Sequence, residues 1–331
     1  MMRTNLIAAI LALGAFSAQG LAQTPPMGGA QPYPSKPIRL IVAFAPGGGG
    51  DIIARLIGQK LSERSGQAVV VDNRPGAVGI IGTEIAAKAP PDGYAIYLAG
   101  VNFAINASFF SKLPYDTEKD FACITLVASA PYILLVHPNV SAGSVKELIA
   151  LAKAQPGSLN YASNGDGSPP HLAGELLKSM ANIQVVHIPY NGGGPALNAL
   201  LSGQVHMFFS VISAAVPHMK AGRLKPLGVA SNQRSSAVPD VPTMAEAGLP
   251  GLEATNWFAV LAPVRTPRDI VSQLNSMIVD VLQTPDMKNR LVSLGLEAVG
   301  STSAQCEAHI KNEIVKWANV VKVSGGRSSY K

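Results

Sequence analysis

The sequence is poor in charge and in aromatic residues, and these shortages exclude several classes of protein. Only 14% of the 331 residues are charged and 6% are aromatic. Nucleic-acid binding usually needs clustered Lys and Arg with interleaved aromatic rings, and the chain has no block of like charges. Low charge together with 47% hydrophobic residues indicates a large, well-filled α/β interior rather than disorder. We therefore expect no nucleic-acid partner.

Short catalytic and cofactor motifs are also missing. The chain has no Gly-Lys pair, which excludes a Walker loop, and no G-x-S-x-G, H-E-x-x-H or C-x-x-C pattern. Its glycine clusters do not fit G-x-G-x-x-G, and its histidines lack metal-ligand spacing. We expect no cofactor, no metal and no enzyme, although a triad scattered along the chain is the alternative.

Cysteine is scarce as well. Cys123 and Cys306 lie 183 positions apart, and such a spacing does not decide whether they pair. We favour two separate, partly buried thiols.

The N-terminus predicts the compartment. Residues 1–22 contain one charge, Arg3, then an apolar run from Leu6 to Phe16 and small residues up to Ala22. This order is typical of a cleaved secretory signal, and the run is shorter than the roughly 20 residues that span a bilayer. The predicted mature protein is periplasmic and carries 25 basic and 20 acidic side chains, and this modest positive excess favours an anionic ligand.

Strands, glycine-rich turns and helices alternate along the mature chain. Strands are predicted at 38–44, 68–72 and 94–99, and helices at 51–64 and 79–89. A second set follows, with helices at 145–154, 172–180 and 195–202 and strands at 159–162, 185–188 and 206–209. This alternation favours a mostly parallel sheet covered by helices.

A chain of this length usually divides into two lobes. Apolar segments near 127–137 and 257–262 read as two crossings between lobes, and two crossings make a hinge. We assign residues 33–132 and 258–331 to lobe 1 and residues 133–257 to lobe 2. The fold class is α/β.

Three glycine-rich loops, 46–51, 163–171 and 190–195, each follow a predicted strand and precede a predicted helix. Glycine lets the backbone approach a ligand closely, and the first N–H groups of a helix have no partner inside it. Such loops are typical anion-binding cradles, although each one alone is equally explained as a turn that closes a βα unit.

An ordered set of segments resembles the tripartite tricarboxylate transporter substrate-binding proteins, also called Bug receptors. The segments are 44–51 (FAPGGGGD), 73–77 (NRPGA), 163–168 (SNGDGS), 171–175 (HLAGE), 189–197 (PYNGGGPAL) and 246–251 (EAGLPG), together with Trp257. The resemblance extends from about Tyr33 to Lys322.

The resemblance implies a type II periplasmic binding-protein fold in which two α/β lobes close on a small organic anion, mostly a carboxylate. It implies a monomer that serves a membrane transporter of the tripartite type, and a sensor kinase is the alternative partner. The implied ligand-binding residues are Phe44, Gly48, Gly49, Asp51, Asn102, Ser163, Gly165, Ser168, His171, Gly192 and Gly193.

Two of these residues allow an intramolecular role. A carboxylate at Asp51 would repel an anion, so we favour Asp51 as a cap that accepts from backbone N–H groups. His171 is equally consistent with a contact to ligand or the opposite lobe and with a hydrogen-bonded structural histidine.

Overall fold

The computed structural model describes residues 33–47 and 49–323. The predicted signal peptide, residues 1–22, and Gly48 of the first glycine loop lie outside the described residues. None of the described helices has the length and apolar character needed to cross a membrane.

The strands carry the apolar segments of the sequence. Nine of them follow runs that are mainly buried or half-buried, and β10 is a short pair at the edge. In order they are β1 (Ile38–Val42), β2 (Val69–Asn73), β3 (Ala95–Gly100), β4 (Phe121–Val136), β5 (Asn160–Ser163), β6 (Val186–Pro189), β7 (Met207–Val211), β8 (Lys225–Val229), β9 (Thr255–Pro263) and β10 (Glu297–Ala298).

Side-chain caps mark the start of two helices. Ser144 accepts the Glu147 N–H at the start of one helix, and Thr284 accepts the Met287 N–H at the start of another. In order the helices are α1 (Gly49–Ser65), α2 (Ile80–Ala87), α3 (Asn102–Phe109), α4 (Val145–Ala154), α5 (Pro169–Ala181), α6 (Gly193–Leu201), α7 (Ile212–Lys220), α8 (Arg268–Gln283), α9 (Pro285–Ser293) and α10 (Ser303–Val323).

β4 joins two halves of one sheet, which has the strand order β2-β1-β3-β9-β4-β7-β5-β6. Residues 121–131 of β4 pair with β9, and residues 132–136 pair with β7. We call β1, β2, β3, β9 and β10 with the start of β4 the first half. The second half is β5, β6, β7 and β8 with the end of β4. The predicted crossing near 127–137 therefore lies largely within β4, whereas the segment 257–262 lies in β9, which among the described strands pairs only with those of the first half.

The sheet is mixed, so the expectation of a mostly parallel sheet is only partly right. β1 pairs in parallel with β2 and β3, and β5 pairs in parallel with β6 and β7. The central partners, β4 with β7, β8, β9 and β10 and β3 with β9, are antiparallel. The cause is the two chain crossings, which run in opposite directions through the middle of the sheet.

The core at the crossings is built around Trp257, which is 1% exposed. Its indole Nε1 donates to Glu313 Oε2 of α10 at 2.9 Å, and so does the indole of Trp317. A buried carboxylate that receives two such donors ties α10 to β9. Trp257 is thus a core residue.

The interpretation of the two cysteines as separate thiols is wrong. Cys123 of β4 and Cys306 of α10 form a disulfide with a Cα–Cα separation of 5.9 Å, which is in the usual range. The segment before α10 docks on β4, where Leu126 N donates to Ser301 Oγ at 2.9 Å. This docking brings together two positions that are distant in sequence.

We predict that replacing both cysteines, Cys123→Ser with Cys306→Ser, lowers the free energy of unfolding by about 2 to 5 kcal/mol, because the bridge closes a very long loop of the unfolded chain. Urea unfolding of the oxidised protein measures this loss. Wild type with a reductant is the control and should match the double variant. Two free thiols in oxidised, denatured wild type would contradict the prediction.

Candidate functional site

The loop after β1 is shaped by the Phe44 ring. This ring packs edge to face on Phe258, with centroids 5.8 Å apart. A Cβ at Gly50 would lie 2.2 Å from Phe44 Cδ2, and one at Gly100 would lie 2.7 Å from Phe44 Cζ. Both glycines are therefore required to make room for the ring, while Gly47 and Gly49 of the same loop are exposed.

Asp51 closes this loop onto the end of β2. Its carboxylate is 3% exposed and accepts from Gly47 N–H at 2.9 Å, Arg55 Nε at 3.0 Å and Asn73 Nδ2 at 2.9 Å. The Arg55 guanidinium first, then the Gly47 N–H and the Asn73 amide, lower the pKa of Asp51 to about 2 although burial opposes the shift. Asp51 therefore has the expected intramolecular role, but it is the third residue of α1 and accepts from a backbone N–H ahead of the helix, so it fixes the loop and does not cap the N–H groups of α1.

The loop after β5 is held by its own serines. Ser163 is fully buried, its Oγ lies 2.6 Å from His187 Nε2, and Gly165 N–H donates to it at 3.1 Å. Ser168, just before α5, donates its hydroxyl to the Gly165 carbonyl at 2.6 Å. The serine hydroxyls thus fix the path of Gly165, and its amide nitrogen is committed to Ser163.

Three stacked aromatic rings, those of His171, His187 and Tyr161, pack beside that loop. The His171 and His187 centroids are 4.0 Å apart with planes at 13°, and Tyr161 stacks on His187 at 4.9 Å. His171 Nδ1 accepts the Gly167 N–H at 3.0 Å, and Tyr161 donates to Glu175 at 2.6 Å. His171 therefore holds the loop backbone.

Asp166, His171 and His187 have ligand atoms within 4.8 Å of one another, which raises the question of a metal. An imidazole binds a metal ion in the plane of its ring, and two nearly parallel stacked rings cannot place one ion in both planes. In addition, His187 Nε2 faces Ser163 and His171 Nδ1 faces Gly167. This geometry does not suit tetrahedral chelation.

The loop after β6 is tied to the loop after β5. Tyr190 N–H donates to the Ser163 carbonyl at 3.0 Å, and Gly192 has φ 105°, which favours glycine. A Cβ at Gly193 would lie 3.4 Å from Asn164 Oδ1, a buried oxygen without a hydrogen-bond partner among the described residues. The start of α6 and Asn164 therefore lie side by side.

The turn between β2 and α2 is strained. Residues 76–79 have φ values of 124°, 45°, 53° and 92°, and Val78, which is β-branched, rarely adopts such a conformation. Asn106, 1% exposed, donates its Nδ2 to the Val78 carbonyl at 3.1 Å. Thr83 donates to the Gly79 carbonyl at 2.8 Å and shares a hydrogen bond with the Tyr97 hydroxyl. Hydrogen bonds from buried side chains thus hold the turn in its strained conformation.

A cavity of about 600 Å³ lies where this turn meets the loops of the second half. The Phe109 ring closes one side, since a Cβ at Gly167 would lie 2.7 Å from it. Because β1, β2, β5 and β6 all end here, the cavity sits at the carboxyl ends of parallel strands, the usual place for a ligand in α/β folds. The lining residues are Ala77, Val78, Ile80, Phe109, Phe110, Lys112, Gly165, Asp166, Pro189, Tyr190 and Asn191.

Two charged side chains of opposite sign line the cavity. Lys112 is exposed and has no hydrogen-bond or ion-pair partner within residues 33–47 and 49–323. Asp166 lies on the opposite side, with Oδ1 3.6 Å from His187 Nδ1. An anion in the cavity is therefore attracted towards Lys112.

The predicted ligand residues form two groups. Phe44 and Asp51 meet through Asn73, whose Nδ2 donates to both. Gly49 is exposed in their loop, and Asn102 begins α3 half-buried. In the second half, Gly165 lines the cavity directly. The loop that contains Gly165 and the neighbouring loop after β6 hold the other predicted residues of the second half, which are Ser163, Ser168, His171, Gly192 and Gly193.

Sequence reasoning missed the residues that form the first-half wall, namely 77–80, Phe109, Phe110 and Lys112. A signal existed for the turn, because residues 73–79 repeat the strand, glycine and helix order of the three loops. No comparable signal marks the end of α3.

The comparisons with known proteins agree on one family. The model of the tripartite tricarboxylate transporter family receptor matches residues 53–325. BugT of Bordetella pertussis is 38% identical over 300 residues, which cover 90% of this chain and 92% of BugT.

Similar solved structures include that of a periplasmic binding protein, and two of the similar structures contain a bound carboxylate. An adipate-bound protein of R. palustris is 35% identical with a TM-score of 0.80, covering 88% of this chain and 98% of that one. MatC of Rhodopseudomonas palustris with bound malate is 32% identical with a TM-score of 0.76, covering 87% and 100%. The α/β fold of these proteins is the fold of this chain.

We predict that Asn106→Asp lowers the free energy of unfolding by about 2 kcal/mol at pH 8, because a buried carboxylate replaces the amide donor to Val78. Protonation lets the introduced carboxyl donate again, so the loss shrinks as the pH falls to 5. Urea unfolding at both pH values measures this, with the exposed Asn139→Asp as control. Equal stability of both variants would contradict the prediction.

A second prediction concerns pH. Burial first and the adjacent His171 ring second lower the pKa of His187 to about 4, against about 6.5 in an unfolded chain. Between these values the folded state binds fewer protons, so the free energy of unfolding falls as the pH drops from 6.5 towards 4, by up to about 3 kcal/mol.

Unfolding measurements on His187→Gln test this, because the variant lacks the titrating ring. The free energy of unfolding of His187→Gln should rise relative to that of wild type as the pH falls, and His137→Gln serves as the control. A constant difference between wild type and His187→Gln from pH 7 to pH 4.5 would argue against the assignment.

Proposed function

This chain belongs to the tripartite tricarboxylate transporter receptor family, and from that premise we propose that it is an extracytoplasmic receptor for a small carboxylate. It captures the ligand in the cavity at the carboxyl ends of the parallel strands and presents it to a membrane transporter. The observation that carries the proposal is that loops from both halves of the sheet line one cavity. The bound adipate and malate of two similar structures support the ligand class.

Capture by closure follows from the sheet. The described parts of residues 33–132 and 258–323 move as one lobe and residues 133–257 as the other, with bending near residue 132, where β4 exchanges β9 for β7. A ligand held by loops of both lobes favours the closed state, because its contacts are complete only there. The membrane transporter recognises the closed form of the receptor.

The carboxylate is bound mainly by neutral donors and one cation. The first residues of α6, Gly193 and Gly194, follow the lining residue Asn191 and offer the backbone N–H groups that a helix leaves unpaired at its start. Lys112 supplies positive charge. Gly165 lines the cavity. The other described residues of the predicted set hold the loops around it, and they are Phe44, Gly49, Asp51, Asn102, Ser163, Ser168, His171 and Gly192.

One observation favours a second candidate, a serine hydrolase. Ser163 Oγ lies 2.6 Å from His187 Nε2, and His187 Nδ1 lies 3.6 Å from Asp166, which is the contact order of a catalytic triad. However, Ser163 is fully buried and its oxygen is bonded to Gly165. A nucleophile must reach its substrate, so the receptor is favoured.

A titration with carboxylates tests the receptor proposal. Gly193→Leu should weaken binding at least tenfold, about 1.4 kcal/mol, because its side chain enters the space beside Asn164. Calorimetry gives the affinity, and thermal unfolding without ligand checks the fold. Gly143→Leu, which lies outside the three loops and has an ordinary φ, is the matched control.

Thermal unfolding with the same carboxylates, together with an ester-hydrolysis assay, distinguishes the receptor from the hydrolase. A ligand at 100 times its dissociation constant adds about 2.7 kcal/mol of stability, and ester turnover should be absent in wild type and Ser163→Ala alike. Ester hydrolysis that disappears in Ser163→Ala would replace the receptor with the hydrolase. A panel without any thermal shift would remove the carboxylate proposal.

A further inference from the structure

The side chains around the cavity divide by chemistry. Apart from Lys112, the first half lines the cavity with hydrocarbon side chains, Ala77, Val78 and Ile80 from the turn and Phe109 and Phe110 from the end of α3, and we call these five the hydrocarbon wall. The polar edges are formed by the remaining polar and charged side chains, Lys112, Asp166, Tyr190 and Asn191.

This hydrocarbon wall is rigid. Val78 is held in its left-handed conformation by Asn106, and Phe109 is pinned between the Gly167 backbone and the edge of Phe110, whose ring centroid is 5.4 Å away. The wall also offers no polar side chain to a ligand, because none of its five residues, Ala77, Val78, Ile80, Phe109 and Phe110, has one.

A ligand hydroxyl that faces such a wall loses its bonds to water and gains none in return. A ligand with a hydrocarbon body loses nothing there and removes apolar surface from water. The two kinds of acid therefore differ in affinity even when their carboxylates are identical.

We propose that the cavity selects carboxylates whose body is a hydrocarbon chain or ring and rejects acids hydroxylated along the body, with Val78, Phe109 and Phe110 as the residues that determine this specificity. The proposal rests on the receptor function above and narrows its ligand class. It assigns the carboxylate end of the ligand to the polar edges and the body to the hydrocarbon wall.

Matched acids test the selection by calorimetry. Succinate, malate and tartrate share four carbons and carry no, one and two hydroxyl groups, and adipate and galactarate form a six-carbon pair. Each hydroxyl that faces the wall should weaken binding about tenfold. Succinate should thus bind more tightly than tartrate, and adipate more tightly than galactarate.

Val78→Thr probes the wall itself. Thr has nearly the shape of Val and is equally β-branched, so the demands on the backbone do not change, but it places a hydroxyl on the wall. The preference for succinate over malate should shrink at least threefold in this variant. Val70→Thr is the matched control, because Val70 is 54% exposed on β2 and does not line the cavity.

The outcomes separate the two proposals. Hydroxylated acids that bind as tightly as their hydrocarbon partners would overturn the selection and leave the receptor standing. An unchanged preference in Val78→Thr would overturn the role of the wall. If no acid of the panel binds, the receptor proposal fails and the selection fails with it.

Discussion

The pairing of β4 with β9 is the constraint on which the rest of the structure depends. Along residues 121–131, β4 holds β9 as its antiparallel partner, and at residue 132 it exchanges that partner for β7. One strand thereby belongs to both halves of the sheet, and the parallel strands of each half end beside the same cavity. The disulfide to α10 and the docking of Ser301 on Leu126 fasten the first part of β4. The first part of β4 is thereby held in the first half, and the exchange at residue 132 is the place where the same strand enters the second half.

Glycine and aromatic residues act as pairs in this fold. Gly50 and Gly100 make room for Phe44, Gly167 makes room for Phe109, and Gly174 lies under the Tyr161 ring, where a Cβ would be 2.2 Å from Cε2. These glycines, one in a loop and three in the adjoining helices and strand, therefore serve packing. A large ring on a glycine backbone brings two elements closer than any side chain would allow. The loops gain defined positions in this way without long side chains that would fill the cavity.

Much of the fold follows from local pattern. β1, α1, β2, β3 and α4 lie within two residues of their predicted bounds, because apolar runs bounded by Gly and Pro are strong signals. α3 was missed, since residues 102–109 are mostly small or apolar, with a buried asparagine at 106, and lack a polar face. Of the predicted site residues, Gly165 lines the candidate cavity, and it was visible in the sequence because it belongs to a glycine-rich loop. Phe109 and Lys112 reach the cavity only through tertiary packing. The disulfide was missed for the same reason.

Strain at residues 76–79 connects stability with recognition. A β-branched residue at positive φ costs about 1 to 2 kcal/mol. Thr83 of the adjoining α2 and Asn106 of α3 offset this cost by donating to the Gly79 and Val78 carbonyls. The result is a turn that places Ala77 and Val78 in the lining of the cavity just ahead of α2. The strain thus fixes one hydrocarbon side of the cavity, and the only lining cation of the described residues, Lys112, lies elsewhere in the lining.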